Sequence, residues 1–97
     1  MITILGGSLD NSKPLVYILT MIKRNINGMD FRFCSNVWRE YYFGNQVYSI
    51  DRPRWIHVKE NGTHIVIDEY GITHVIPNNY HVIRFKNPNG TPEVDYA

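Results

Sequence analysis

Cysteine is nearly absent from this 97-residue chain. Cys34 stands alone, which excludes an internal disulfide framework and any Cys-rich zinc site, and suits a reducing compartment. Long apolar runs are absent too. The longest, Leu15 to Ile22, falls well short of the roughly 20 residues a membrane helix needs. Neither sign of charge dominates: ten Lys and Arg against nine Asp and Glu leave a net charge of +1. No global field therefore draws the chain onto nucleic acid or a membrane surface. The start, Met1-Ile2-Thr3-Ile4-Leu5, has no basic stretch and is cut short by Gly6-Gly7, so no secretory signal is read and a cytoplasmic location is expected. Alanine is confined to Ala97, while Ile, Asn and Tyr, whose codons are AT-rich, are abundant. That bias suits an AT-rich genome such as many phages carry, although Arg outnumbers Lys, against the usual trend.

What is present is enough for a core. Hydrophobic residues make up 43% and aromatic residues 13%, so one small domain over residues 1–97 is expected, with 87–97 as a surface tail around Pro88, Gly90 and Pro92. Leu15, Ile18, Leu19 and Ile22 recur at i, i+3, i+4 and i+7, the stripe of an amphipathic helix. Pro14 sits in its first turn, Lys23 and Arg24 in its last, and Asn25-Ile26-Asn27-Gly28 reads as the stop. Val16, Tyr17 and Thr20 are poor helix formers and leave a strand as the competing reading. Beyond this point the periodicity changes from helical to alternating.

Met29 to Cys34 alternates apolar and polar residues as a half-buried strand does. Gly44-Asn45, Asn61-Gly62, Tyr70-Gly71 and Asn78-Asn79 then punctuate β-rich stretches and predict successive hairpins. Arg52-Pro53-Arg54 joins the two halves. The resulting fold class is α+β: one N-terminal helix packed on a twisted antiparallel meander, or on a partly closed small barrel. A two-residue loop at Asn61-Gly62 would put Lys59 opposite His64, His57 opposite Val66 and Trp55 opposite Asp68. Ile56, Val58, Ile65 and Ile67 would then face the core. A three-residue turn at Tyr70 would flip the strands after it.

Four clusters bear on function. His57, His64 and Asp68 would share one face and are the candidates for a metal site, against the plainer reading of solvent-facing sheet residues; no metal or other cofactor is expected. Cys34 in an alternating strand reads as a small buried hydrophobe. Gly6, Gly7 and Ser8 lie between a strand and a helix start, where backbone N–H groups can meet an anion. The surrounding Ile4 to Asp10 resembles locally the Gly-Gly-Ser-Phe-Asp-Pro turn of nucleotidyltransferases. No His-x-Gly-His follows, and the chain is too short for that parallel fold, so no family is assigned. The densest cluster is aromatic and basic: Trp38, Arg39, Tyr42, Arg52, Arg54 and Trp55. Rings and guanidiniums interleaved on strands suit base stacking with phosphate contact, or a protein-binding hot spot, against the bland reading of core aromatics.

The expected function is that of a small non-enzymatic binding protein, its most concrete form a phage or mobile-element accessory protein that inhibits a host factor through the aromatic–arginine surface. The alternative is a nucleic-acid or nucleotide-binding module, and a third is a His-based metal protein. The expected partners are a host protein or a small nucleotide-like ligand, nucleic acid but not a membrane, and a second copy joined through open sheet edges.

Overall fold

Two residues suffice to turn the chain at Asn27-Gly28, and they explain where the helical expectation breaks. Asn27 and Gly28 both take positive φ, 52° and 83°, as a two-residue I′ hairpin turn demands. Asn tolerates that region and Gly enters it freely. The pair therefore reverses the chain rather than capping a helix. Lys23 and Arg24, expected in a last helical turn, belong to β1 (Lys23–Ile26), which pairs antiparallel with β2 (Met29–Phe33). The computed structural model describes residues 22–96. Among these there is no helix, and nine strands form two antiparallel sheets. Over the described residues the expected α+β class is thus overturned for an all-β one. The Leu15 to Ile22 stripe lies outside the described residues, apart from Ile22.

The other strands are β3 (Trp38–Phe43), β4 (Gln46–Asp51), β5 (Pro53–Val58), β6 (His64–Asp68), β7 (Thr73–Ile76), β8 (Val82–Lys86) and β9 (Pro92–Tyr96). The five-stranded sheet runs β1-β2-β5-β6-β7 and the four-stranded sheet β4-β3-β8-β9. The chain changes sheets after β2, β4 and β7, so the antiparallel meander is shared between two layers. Gly44-Asn45 is a two-residue turn as expected, with Phe43 opposite Gln46. Asn78-Asn79 is not a hairpin: it carries the chain from β7 to β8 in the other sheet. Residues 92–96, expected in a surface tail, lie at the surface as the edge strand β9.

The two sheets pack face to face. Ile56, Val66 and Ile76 from one meet Tyr41, Ile50 and Ile83 from the other, with Cys34 among them. Alternation along β3 sends Arg39, Tyr41 and Phe43 inward and Trp38, Glu40 and Tyr42 outward. Tyr41 is fully buried at the centre of this interface.

One turn decides which face His64 occupies. Lys59 and Thr63 bond across a three-residue loop, Gly62 N donates to Lys59 O, and Gly62 has φ 93°. The extra loop residue moves the register by one: Val58 lies opposite His64, Ile56 opposite Val66 and Trp55 opposite Ile67. The expected pairings of Lys59 with His64, His57 with Val66 and Trp55 with Asp68 are therefore corrected. A slip of one residue exchanges faces. His64, Val66 and Asp68 point inward, while His57, Ile65 and Ile67 point outward. A second three-residue loop, closed by Gly71 N to Asp68 O, shifts β7 likewise and keeps Ile76 in the core. Gly62→Ala forces a side chain into left-handed backbone, with its Cβ 3.5 Å from that of Asn78. The expected cost is about 1–2 kcal/mol, measured as a lower urea midpoint at unchanged slope.

Candidate functional site

Between the sheets, on the side where β2 and β9 end, lies a cavity of about 400 Å³. Register explains its walls. Arg32 lies opposite Ile56 in the β2–β5 pairing, so it shares the inner face with Ile56 and His64. Arg39 enters from β3, and Ile83 and Asp95, paired on β8 and β9, complete the opposite wall. Asn36, from the first crossover, and Tyr80, from the third, close the ends.

Arg39, Asn36, Tyr41, His64 and Tyr80 form one hydrogen-bonded chain. Arg39 Nε donates to the Tyr41 hydroxyl at 2.8 Å and its Nη1 to Asn36 Oδ1 at 3.0 Å. The Tyr41 hydroxyl lies 2.7 Å from His64 Nδ1, and the Tyr80 hydroxyl 3.0 Å from His64 Nε2. Tyr80 spends its own proton on Gly62 O at 2.8 Å. His64 Nε2 must then carry the proton that meets Tyr80, leaving Nδ1 to accept from Tyr41. That tautomer satisfies every partner at once. Cys34 Sγ donates to Asn36 Oδ1 at 3.0 Å, and Asn36 Nδ2 to Asn87 Oδ1 at 2.8 Å.

Titration follows the same geometry. Burial, reinforced by the positive charges of Arg39 and Arg32, pushes His64 down to about 4, so the ring is neutral at pH 7. Burial raises the Cys34 thiol against the opposing pull of Asn36 and the nearby arginines. It raises Tyr41 and Tyr80 too, against the pull of Arg39. The thiol and both phenols therefore stay protonated, and the arginines are the cavity's fixed positive charges. No carboxylate among the described residues lies within 4.0 Å of Arg32 or Arg39, whereas Arg52 and Arg54 pair with Glu69, and Arg84 pairs with Glu40.

The expected aromatic–basic cluster is distributed over several places. Trp38 and Tyr42 lie on the outer face of the four-stranded sheet, where Arg84 bonds Tyr42 at 3.1 Å and sits over the Trp38 ring. Arg39 faces the cavity. Trp55 lies on the outer face of the five-stranded sheet, edge-on to Phe33 and under Arg24. Arg54 Nη1 reaches Asn36 O at 3.0 Å and holds the first crossover, and Arg52 occupies the second, with φ 50°.

Of the metal candidates, His64 and Asp68 point inward but His57 points outward, where it meets Asp30 O. Asp68 instead binds His74 at 2.9 Å, and His74 meets the Tyr48 hydroxyl at 2.7 Å, a stitch between the sheets. Among the described residues no group of three His, Cys, Asp or Glu side chains is placed to hold a metal ion. Gly6, Gly7 and Ser8 lie outside the described residues. No described helix is long and apolar enough to cross a membrane.

Sequence reasoning overlooked Arg32, Asn36, Tyr80, Asn87 and Asp95 as cavity residues. The usable signal was Glu60-Asn61-Gly62, which also fits a three-residue loop with Gly last. That alternative would have turned His64 inward. No protein-family model matches the chain, and no curated protein or solved structure matches it significantly.

Proposed function

We propose that this chain is a non-enzymatic binding protein that takes a small nucleotide-like anion into the cavity between its sheets. The observation that carries the reading is the pair of guanidiniums, Arg32 and Arg39, on that cavity and without carboxylate partners among the described residues. Guanidinium forks match phosphate and carboxylate oxygens, so an anion is their natural complement. The cavity volume of about 400 Å³ falls in the range of small-molecule sites, roughly 300–1,000 Å³. Both nitrogens of His64 are occupied by tyrosines and Cys34 is held as the thiol, which favours binding over catalysis.

Arg32 is exposed and makes no fold-defining contact, so Arg32→Ala separates binding from stability. Calorimetric titration with nucleoside monophosphates is expected to show affinity falling about 10- to 100-fold in the variant, from loss of a charge-assisted contact worth about 1.5–3 kcal/mol. The melting temperature should barely move. Equal affinity in both proteins, or no binding in either, would remove the reading.

A second reading rests on the outer face of the four-stranded sheet, where Trp38, Tyr42 and Arg84 sit together. Such a trio has the composition of a protein-binding hot spot, as a host-factor inhibitor of phage origin would need.

A further inference from the structure

The cavity that the two arginines line also carries a group of opposite sign. Register places Asp95 opposite Ile83 on β9, on the inner face of the four-stranded sheet, and it lines the cavity that Arg32 and Arg39 also line. No Lys, Arg or His among the described residues lies within 4.0 Å of its carboxylate. Its charge is nevertheless felt inside, since it opposes ionisation of Tyr80. The next inward residue of β9, Glu93, is already engaged by Asn87 at 3.1 Å. Asp95 is therefore the acceptor on this wall that remains open to a ligand.

A bound molecule that places an anion against the arginines must place something other than an anion against Asp95. A carboxylate accepts hydrogen bonds and donates none, so the complement is a pair of donors. Adjacent hydroxyl groups supply them, and a carboxylate taking ribose hydroxyls is a recurrent form of nucleotide recognition. Ile56, Val58 and Ile83 line the same cavity and offer apolar surface for a flat ring. A nucleoside monophosphate carries all three features: a phosphate, a vicinal diol and a flat ring with an apolar face.

We propose that Asp95 is a specificity-determining residue that selects ribonucleoside monophosphates over their 2′-deoxy counterparts and over free phosphate. This rests on the reading of the cavity as an anion site. Phosphate lies toward β2 and β3, and the ribose hydroxyls donate to the Asp95 carboxylate on β9. The same carboxylate repels ligands that are anionic at both ends.

The test is calorimetric titration of the full chain with adenosine 5′-monophosphate, its 2′-deoxy form and inorganic phosphate, repeated on Asp95→Asn and Asp95→Ala. The wild type should bind the ribonucleotide about 10-fold more tightly than the deoxynucleotide. Asp95→Ala should abolish that preference and leave inorganic phosphate bound as well or better. The isosteric Asp95→Asn, which keeps an acceptor oxygen but loses the charge, should fall between. Asp95 is exposed on an edge strand, and circular dichroism of each variant should match the wild type. Equal affinity for ribo- and deoxynucleotide in the wild type, or a preference that survives in Asp95→Ala, overturns the assignment of Asp95 while leaving the anion site standing. Failure of all three probes to bind the wild type overturns both.

Discussion

Tyr41→Ala is expected to lower the stability of the domain by about 3–5 kcal/mol, enough to unfold a small protein of marginal stability. Tyr41 is the largest fully buried side chain among the described residues and sits between the sheets, so alanine leaves a cavity that the rigid strands on either side cannot fill. Its loss is also chemical. The Tyr41 hydroxyl accepts from Arg39 Nε and donates to His64 Nδ1, and without it both lose a buried partner. Tyr41→Phe isolates that second contribution. It keeps the ring and its edge-to-face contacts with His64 and Tyr80. The expected cost is about 1–3 kcal/mol, the penalty for leaving buried polar groups unpaired. Urea unfolding of the three proteins checks both values, and a Tyr41→Phe variant as stable as the wild type would show that water replaces the hydroxyl without loss.

Acidification from pH 7 to pH 4 should weaken the fold through His64. The folded ring titrates near 4 and the unfolded one near 6.5. Between these values the unfolded chain binds a proton that the folded chain does not, so stability rises with pH across that window. The contribution is complete above about pH 6.5 and is lost as pH falls toward 4. A shift of this size corresponds to about 3 kcal/mol, reduced to about 2 kcal/mol by screening from the solvent that enters the cavity. Asp68 acts later. Burial raises it, but hydrogen bonds from His74 and the amides of Ile72 and Tyr70 outweigh burial and hold it below its ordinary value. Its share is present above the ordinary aspartate range and is lost as pH falls through the depressed folded value. Urea midpoints from pH 7 to pH 3 should therefore fall in two stages. His64→Gln should flatten the first and spare the second, whereas a midpoint constant from pH 7 to pH 4 would contradict the buried, neutral ring.

The turns and strands were largely legible in the sequence because they depend on local preference. Gly44-Asn45 stands as read, since a two-residue turn with Phe43 opposite Gln46 admits one register. Asn61-Gly62 admitted two, and the choice between a two- and a three-residue loop depends on what the following strand buries. His64 satisfied by Tyr41 and Tyr80 can be buried, and both partners come from distant parts of the chain. The cavity was hidden for the same reason: Arg32, Arg39 and Asp95 meet only after three changes of sheet. Arg39 was singled out for its type, but its neighbours Trp38 and Tyr42 went to the opposite face because adjacent strand residues must.

The pairing of β3 with β8 carries a consequence for how the molecule assembles. Tyr41 and Ile83 are neighbours in space, yet all of β4 to β7 separates them in the chain. The hairpins at Asn27-Gly28, Gly44-Asn45 and Gly62 join residues close in sequence and can form within microseconds. The inner sheet contact must wait until those hairpins are laid beside one another, with the entropy of the long loop already lost. A chain with this topology belongs among slow two-state folders, in the millisecond-to-second range. While it waits, the inward faces of β3 and β6 are exposed together, and newly made chains have that interval in which to pair with one another instead.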